Sequence, residues 1–333
     1  MKPSFRLVVT FCVLTGCCLS GPPVSYRYVR IGQPQDIRTT PVAGLALMGG
    51  GSDLDVAFKW LCAHASGGDF LILRARGDDA YNIYVNGLCH TNSVSTLIIP
   101  DAIAAKDPKV ADIIRGADAI FIAGGDQSRY VNGWKDTPVQ RELNNAIARG
   151  VPIGGSSAGL AILGSYVYSA ENDKPDDPNL SSREALTDPF NHRVALRRNF
   201  LDIPILRNVL TDTHFKARDR MGRTITFLAR IIQDGWSADP RAIAVDEKTA
   251  VLVDADGRAS VVGLSAVYFL SVNEAPIVCR AGTPLTFHNI SVYRVGAGGQ
   301  FDLSKWRGNG GDSYSLSVDE GVIHSTQGGG AIY

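Results

Sequence analysis

Gly155-Ser156-Ser157-Ala158-Gly159 lies between two apolar runs, Val151-Pro152-Ile153 before it and Leu160-Ala161-Ile162-Leu163 after it. Gly-x-Ser-x-Gly at such a junction fits a nucleophile elbow. A sharp strand-to-helix turn strains the serine backbone, and the flanking glycines remove the Cβ atoms that would clash. The hydroxyl of Ser157 is then thrust out beside a helix N-terminus, where the free N–H of Ala158 can stabilise an oxyanion. A glycine-packed tight turn would give the same string. The position between a short strand pattern and a helical one favours the nucleophile.

A serine nucleophile needs a base and a group to orient it. Of the six histidines, His64 falls within a helical apolar pattern, and His192, His288 and His324 lie in polar segments without helpful neighbours. His214 differs. It follows the short apolar approach Val209-Leu210, and Arg218, Arg220 and Arg223 come directly after it. That arrangement suits a base beside a pocket for anionic groups, although a basic helix face in solvent would also account for the arginines. Glu247, at a turn between two apolar runs, is the leading acid to orient the imidazole, with Asp246 and Asp212 as rivals.

Elements to carry these groups follow from periodicity. Apolar runs at 44–49, 68–75, 94–100, 117–125 and 151–155 read as strands. Residues 55–65, 109–117, 139–150 and 157–167 read as helices. Short apolar strands alternating with amphipathic helices predict a mostly parallel sheet covered on both faces, a three-layer α/β/α sandwich. Chemistry in such sheets gathers where loops leave the carboxyl ends of strands. Three glycine-rich segments lie at such ends: Gly49-Gly50-Gly51, Gly124-Gly125 and Gly154-Gly155. The first has neither the lysine of a P-loop nor dinucleotide-binding spacing, so a phosphate role is not expected. Residues 169–192 are acidic and proline-containing and predict a surface excursion. Beyond about residue 240 the pattern predicts antiparallel strands at the sheet edge. The glycine-rich stretch 296–317 predicts an ordered loop.

Composition bounds the partners. Lys+Arg and Asp+Glu both number 33 in 333 residues, which gives no polyanion-binding surface and argues against nucleic acid. Residues 1–16 have the layout of a secretory signal: Lys2 and Arg6, then a short apolar run. The segment Leu14-Thr15-Gly16-Cys17 resembles a bacterial lipobox, which predicts lipidation at Cys17 and an envelope location. A plain cleaved signal is the alternative. Residues 17–41 are expected to form a tether, with 21–41 reading alternatively as an entry strand, and residues 42–333 a single domain, β-rich from about 255. Cys62, Cys89 and Cys279 are too sparse for a disulfide framework or a zinc site. A Cys62–Cys89 bridge is compatible with an oxidising compartment, but buried free thiols are the expectation. No metal or cofactor signature is present.

GGSSAG, TDTHFKARDRMGR, VDEKTA and FIAGGDQ together resemble the cyanophycinase / aspartyl dipeptidase (peptidase E) family of serine peptidases. The resemblance runs from about Gly44 to about Leu252, with the motifs in family order. It implies a fold like that of the class I glutamine amidotransferases and a Ser-His-Glu triad of Ser157, His214 and Glu247. It further implies oxyanion donors at Gly125 and Ala158, and substrate contacts at Gln127, Asp212, Arg218, Arg220 and Arg223. A serine exopeptidase acting on aspartyl peptides is the implied activity, cyanophycin and its β-aspartyl-arginine units being one substrate. Dimers are frequent among relatives. Thr213 stands where cyanophycinases tend to carry Gln, and Asp219 where Gly is usual. The interval from Ser157 to His214 is also long. A silent binding lipoprotein of the same fold is a second reading. An esterase is a third, but it would need its acid before the histidine.

Overall fold

The computed structural model describes residues 25–173 and 179–333. The signal, Cys17 and the start of the expected tether lie outside them. The chain begins with β1 (Arg27–Gly32) and β2 (Gly44–Met48). Helices and strands then alternate: α1 (Asp55–His64), β3 (Asp69–Arg74), α2 (Ala80–Leu88), β4 (Ser93–Ile98), α3 (Pro108–Arg115) and β5 (Ala119–Ile122). They are followed by α4 (Gln127–Trp134), α5 (Pro138–Ala148), β6 (Ile153–Ser156) and the one-turn α6 (Ala158–Ala161). Next come β7 (Tyr166–Tyr168), α7 (Ser182–Thr187), β8 (Leu196–Arg198), β9 (Val209–Asp212) and α8 (Met221–Gln233). The remaining regular elements are mostly strands: β10 (Arg241–Val245), β11 (Thr249–Asp254), β12 (Arg258–Gly263), β13 (Ala266–Ser271), β14 (Phe287–Asp302), β15 (Arg307–Asp319) and β16 (Val322–Ser325).

The strands form one sheet in the order β1-β4-β3-β5-β6-β2-β11-β12-β14-β13-β10-β9-β7-β8, with β15 and β16 added beside β14. From β4 to β2 all neighbours are parallel, and β10, β9 and β7 form a second parallel set. Alternation divides the side chains between two faces. Leu45, Leu47, Leu71 and Leu73 pack with residues of α3, α5 and α6, while Ala46, Met48, Phe70 and Ile72 pack against Phe58 and Leu61 of α1. Helices on both faces of a mixed, mostly parallel sheet make the α/β sandwich. Local signals set the helix starts: Asp107 and Thr137 accept from the N–H groups of Lys109 and Val139, each with Pro at the first helical position.

Several expectations need correction. Within the expected tether, residues 27–32 take the entry-strand alternative as β1, a half-buried edge strand antiparallel to β4. The helix expected over 157–167 ends at Ala161. Ile162 and Leu163 remain fully buried without it, because burial demands apolarity whatever the backbone does. The late strands are not at the edge: β11, β12, β14 and β13 lie between β2 and β10. The glycine-rich stretch is strand, not loop. Gly308 and Gly311 of β15 lie against the Tyr293 ring, which fills the space that side chains would take. The 169–192 excursion contains α7, closed by a capping box between Ser181 and Glu184, and buries Leu180, Ala185 and Leu186. Finally, Cys62 and Cys89 are joined. α1 and the end of α2 bring their Cα atoms to 5.9 Å, within disulfide reach. Cys279 is free and buried, and burial pushes its thiol up to about 11.

Candidate active site

Five loops meet at one rim, each following the carboxyl end of a strand: 49–51 after β2, 123–126 after β5, Ser157 after β6, His214 after β9 and Glu247 after β10. Ser157 turns the chain from β6 into α6 with φ 52° and ψ −118°, a strained conformation outside any regular element. The neighbouring glycines permit that turn. A Cβ on Gly159 would stand 1.9 Å from the Ile122 carbonyl oxygen, and one on Gly155 would stand 2.5 Å from Gly159. Ser157 remains half-buried and reachable.

His214 adopts φ 46° just past β9, 5% exposed. Its Nε2 lies 2.7 Å from Ser157 Oγ. Its Nδ1 lies 2.6 Å from Glu247 Oε1, on the turn between β10 and β11. A carboxylate only accepts, so the ring proton sits on Nδ1 and the Nε2 lone pair faces the hydroxyl. Burial, foremost, and then the charges of Arg218 and Arg220 hold the imidazole below its ordinary value, against the raising pull of Glu247. The imidazole is therefore neutral at physiological pH.

The end of β2 and the glycine triplet after it bracket all three groups, a role the sequence does not disclose. Ser157 N–H donates to Met48 O at 3.1 Å, His214 N–H to Gly49 O at 2.8 Å and Lys248 N–H to Gly50 O at 2.9 Å. Gly50, at φ +100°, lies so close to His214 that a Cβ would meet the ring at 2.5 Å. Asp53, further along this loop, was also missed. It accepts from Ser156 Oγ at 2.6 Å and from Tyr81 Oη at 2.5 Å, tying the residue before Ser157 to α2. The only hint in the sequence was a third glycine-rich strand end.

The other expected site residues separate. The 123–126 loop lies against the elbow, a Cβ on Gly124 falling 3.5 Å from Ser157 Cβ. Gly125 is exposed, Gln127 opens α4 half-buried, and Ala158 begins α6. Asp212 and Arg223 face each other in the interior, both about 2% exposed. Arg223 Nε donates to Asp212 Oδ2 at 2.9 Å, Nη2 reaches Oδ1, and Thr224 Oγ1 donates to Oδ2 at 2.7 Å. Burial raises the Asp212 carboxyl, but Arg223, joined by Arg220 and the Thr224 hydroxyl, outweighs it and holds the acid below its usual range. Arg220 is also buried and donates to Thr213 O at 2.9 Å and to Asn179 Oδ1. Of the three arginines only Arg218 reaches solvent, its side chain 46% exposed and its Nε 3.8 Å from Glu247 Oε1. Asp246 turns away from the imidazole and accepts from Ala217 N–H and Ser265 Oγ.

The profile of peptidase family S51 matches residues 90–194, which hold Ser157 and the 123–126 loop. Cyanophycinase of Trichormus variabilis (strain ATCC 29413 / PCC 7937) is 26% identical over 63% of this chain and 65% of its own length. Cyanophycinase of Geminocystis herdmanii (strain PCC 6308) is 26% identical over 63% of this chain and 71% of its own. The chain is thus similar to cyanophycinases, and over residues 90–194 to peptidase family S51. Its match spans just under two-thirds of the Trichormus relative. Among solved structures, a peptidase from an acI-B1 actinobacterium aligns at 18% identity and a TM-score of 0.49, over 79% of this chain and 98% of that one. A putative peptidase E protein from Listeria monocytogenes EGD-e aligns at 17% identity and a TM-score of 0.44, over 67% and 99%.

Proposed function

We propose that the protein is a serine-type exopeptidase that hydrolyses aspartyl-containing peptides through Ser157, His214 and Glu247. The observation carrying this is the unbroken relay from hydroxyl to imidazole to carboxylate, 2.7 and 2.6 Å long. Ser157 Oγ attacks the peptide carbonyl while His214 Nε2 takes its proton, and Glu247 stabilises the imidazolium formed. The N–H groups of Gly125 and Ala158 receive the oxyanion. His214 then protonates the departing amine. Water, activated by the same ring, releases the acid from the acyl-enzyme.

Arg218 and Gln127 are the groups at the rim suited to hold the substrate. An exposed guanidinium pairs with a free side-chain or terminal carboxylate, which supports an aspartyl residue beside the scissile bond. The match to cyanophycinases extends that reading to β-aspartyl-arginine units. Asp212, Arg220 and Arg223 act beneath the pocket, holding the strand end and turn that carry His214. We further infer export, with Cys17 as lipid anchor. The Cys62–Cys89 pairing supports an oxidising compartment.

The test is hydrolysis of α-aspartyl dipeptides, β-aspartyl-arginine polymer and β-aspartyl-lysine against a neutral peptide, by wild type and Ser157→Ala. Wild type should cleave at least one acidic substrate, and the variant none while keeping its melting temperature. Wild-type rates from Ser157→Ala would overturn the assignment. A wild type that cleaves nothing would leave the fold as a binding module.

A further inference from the structure

The turn 215–220, which links His214 to α8, is gripped by two segments that the βα alternation does not require. From the 169–192 excursion, Ser182 Oγ donates to the Asp219 carbonyl oxygen and accepts from Gly222 N–H at 3.0 Å. The second segment brings Tyr333, beyond β16. Its hydroxyl donates to Asp219 Oδ1 at 2.9 Å and accepts the Met221 N–H at 2.9 Å, satisfying an otherwise open donor at the start of α8. The Tyr333 ring meets Phe215, the residue after His214, and Tyr268 edge-on, with both centroid distances 5.8 Å. Burial, first of all, holds the phenol well above its ordinary value, so it stays a donor.

We propose that Tyr333 and Ser182 clamp this turn, and that Tyr333 is a positioning residue for Arg218 and hence for an acidic substrate. The role rests on the reading that Arg218 meets the substrate carboxylate. Asp219 is exposed, adjacent in sequence to Arg218 and Arg220, and held at φ 48°. Its carboxylate is a ready competitor for the guanidinium that the substrate needs. Anchored to Tyr333, it is committed to that hydroxyl. Released, it is free to pair with Arg218, which then grips the substrate less well.

Tyr333→Phe deletes one oxygen and keeps the ring contacts. We expect a melting temperature near wild type and unchanged labelling of Ser157 by an uncharged fluorophosphonate. KM for the aspartyl peptide should rise roughly fivefold, the scale of one exposed ion pair, with kcat little changed. The matched neutral peptide should be unaffected. Adding Asp219→Gly removes the competing carboxylate and suits the left-handed backbone, so the double variant should recover much of the lost affinity. An unchanged KM, equal losses on acidic and neutral peptides with slower labelling, or no recovery in the double variant would each overturn the clamp. A wild type without preference for the acidic peptide would overturn the reading of Arg218, and the clamp's role with it, before any variant is made.

Discussion

The serine and the histidine–glutamate pair meet at one rim but are built by different means. The turn at Ser157 is shaped locally, because β6, the strained residue and α6 are continuous in sequence and two glycines within that stretch make it possible, while Met48 and Asp53 brace it from the β2 end and its loop. His214 and Glu247 come from separate strands and depend on partners far along the chain. Those include Gly49 and Gly50, the Asp212–Arg223 pair, Asp246, Ser182 and Tyr333. The conformation of the serine is thus written largely in one short motif, whereas the imidazole and carboxylate are brought together by distant segments. Damage to the first half should remove chemistry and spare stability. Damage beneath the second should cost both.

The comparison can be broken most severely at the triad. His214→Ala should cut kcat/KM on the order of a million-fold, and Glu247→Gln about ten-thousandfold through loss of the correct tautomer, both with unchanged unfolding midpoints. Gly50→Ala forces a methyl group into the His214 ring from a left-handed backbone. A ring displacement of about 1 Å should cost about a hundredfold in kcat, read against the melting curve to separate it from unfolding. Asp212→Asn leaves Arg223 buried without its counter-charge and should lower stability in urea by about 3–5 kcal/mol. The wild-type pair is stabilising above the ordinary carboxylate range and loses that contribution as pH falls through the depressed Asp212 value, so the variant should show a flatter acid limb of stability. The smallest effect concerns Arg218. Because His214 is held below its ordinary value, the acid limb of kcat/KM should lie below pH about 6.5. Removing the nearby positive charge in Arg218→Gln eases imidazolium formation, so that limb should move to higher pH.

Local sequence disclosed what local physics decides. The elbow and the βα alternation depend on residues close together in sequence. His214 stood out by its position between an apolar approach and a run of arginines. What stayed hidden depended on distance in space. The same arginine spacing serves a solvated or a buried helix face, and only packing shows that α8 buries Arg223 while Arg218 stays at the rim. The pairing of Cys62 with Cys89 needed α1 and α2 side by side. Gly50 reads as a loop glycine until His214 packs on it. The glycine-rich β15 was mistaken for loop because the aromatic that packs against it, Tyr293, belongs to another strand.

The central claim is that Ser157 is a nucleophile activated by His214, independently of substrate. Fluorophosphonate labelling followed by peptide mapping tests it most directly. The account predicts one equivalent bound at Ser157 in the wild type, with labelling lost in Ser157→Ala and nearly abolished in His214→Ala. A wild type that resists the reagent, or a His214→Ala variant that labels as fast as wild type, would contradict it.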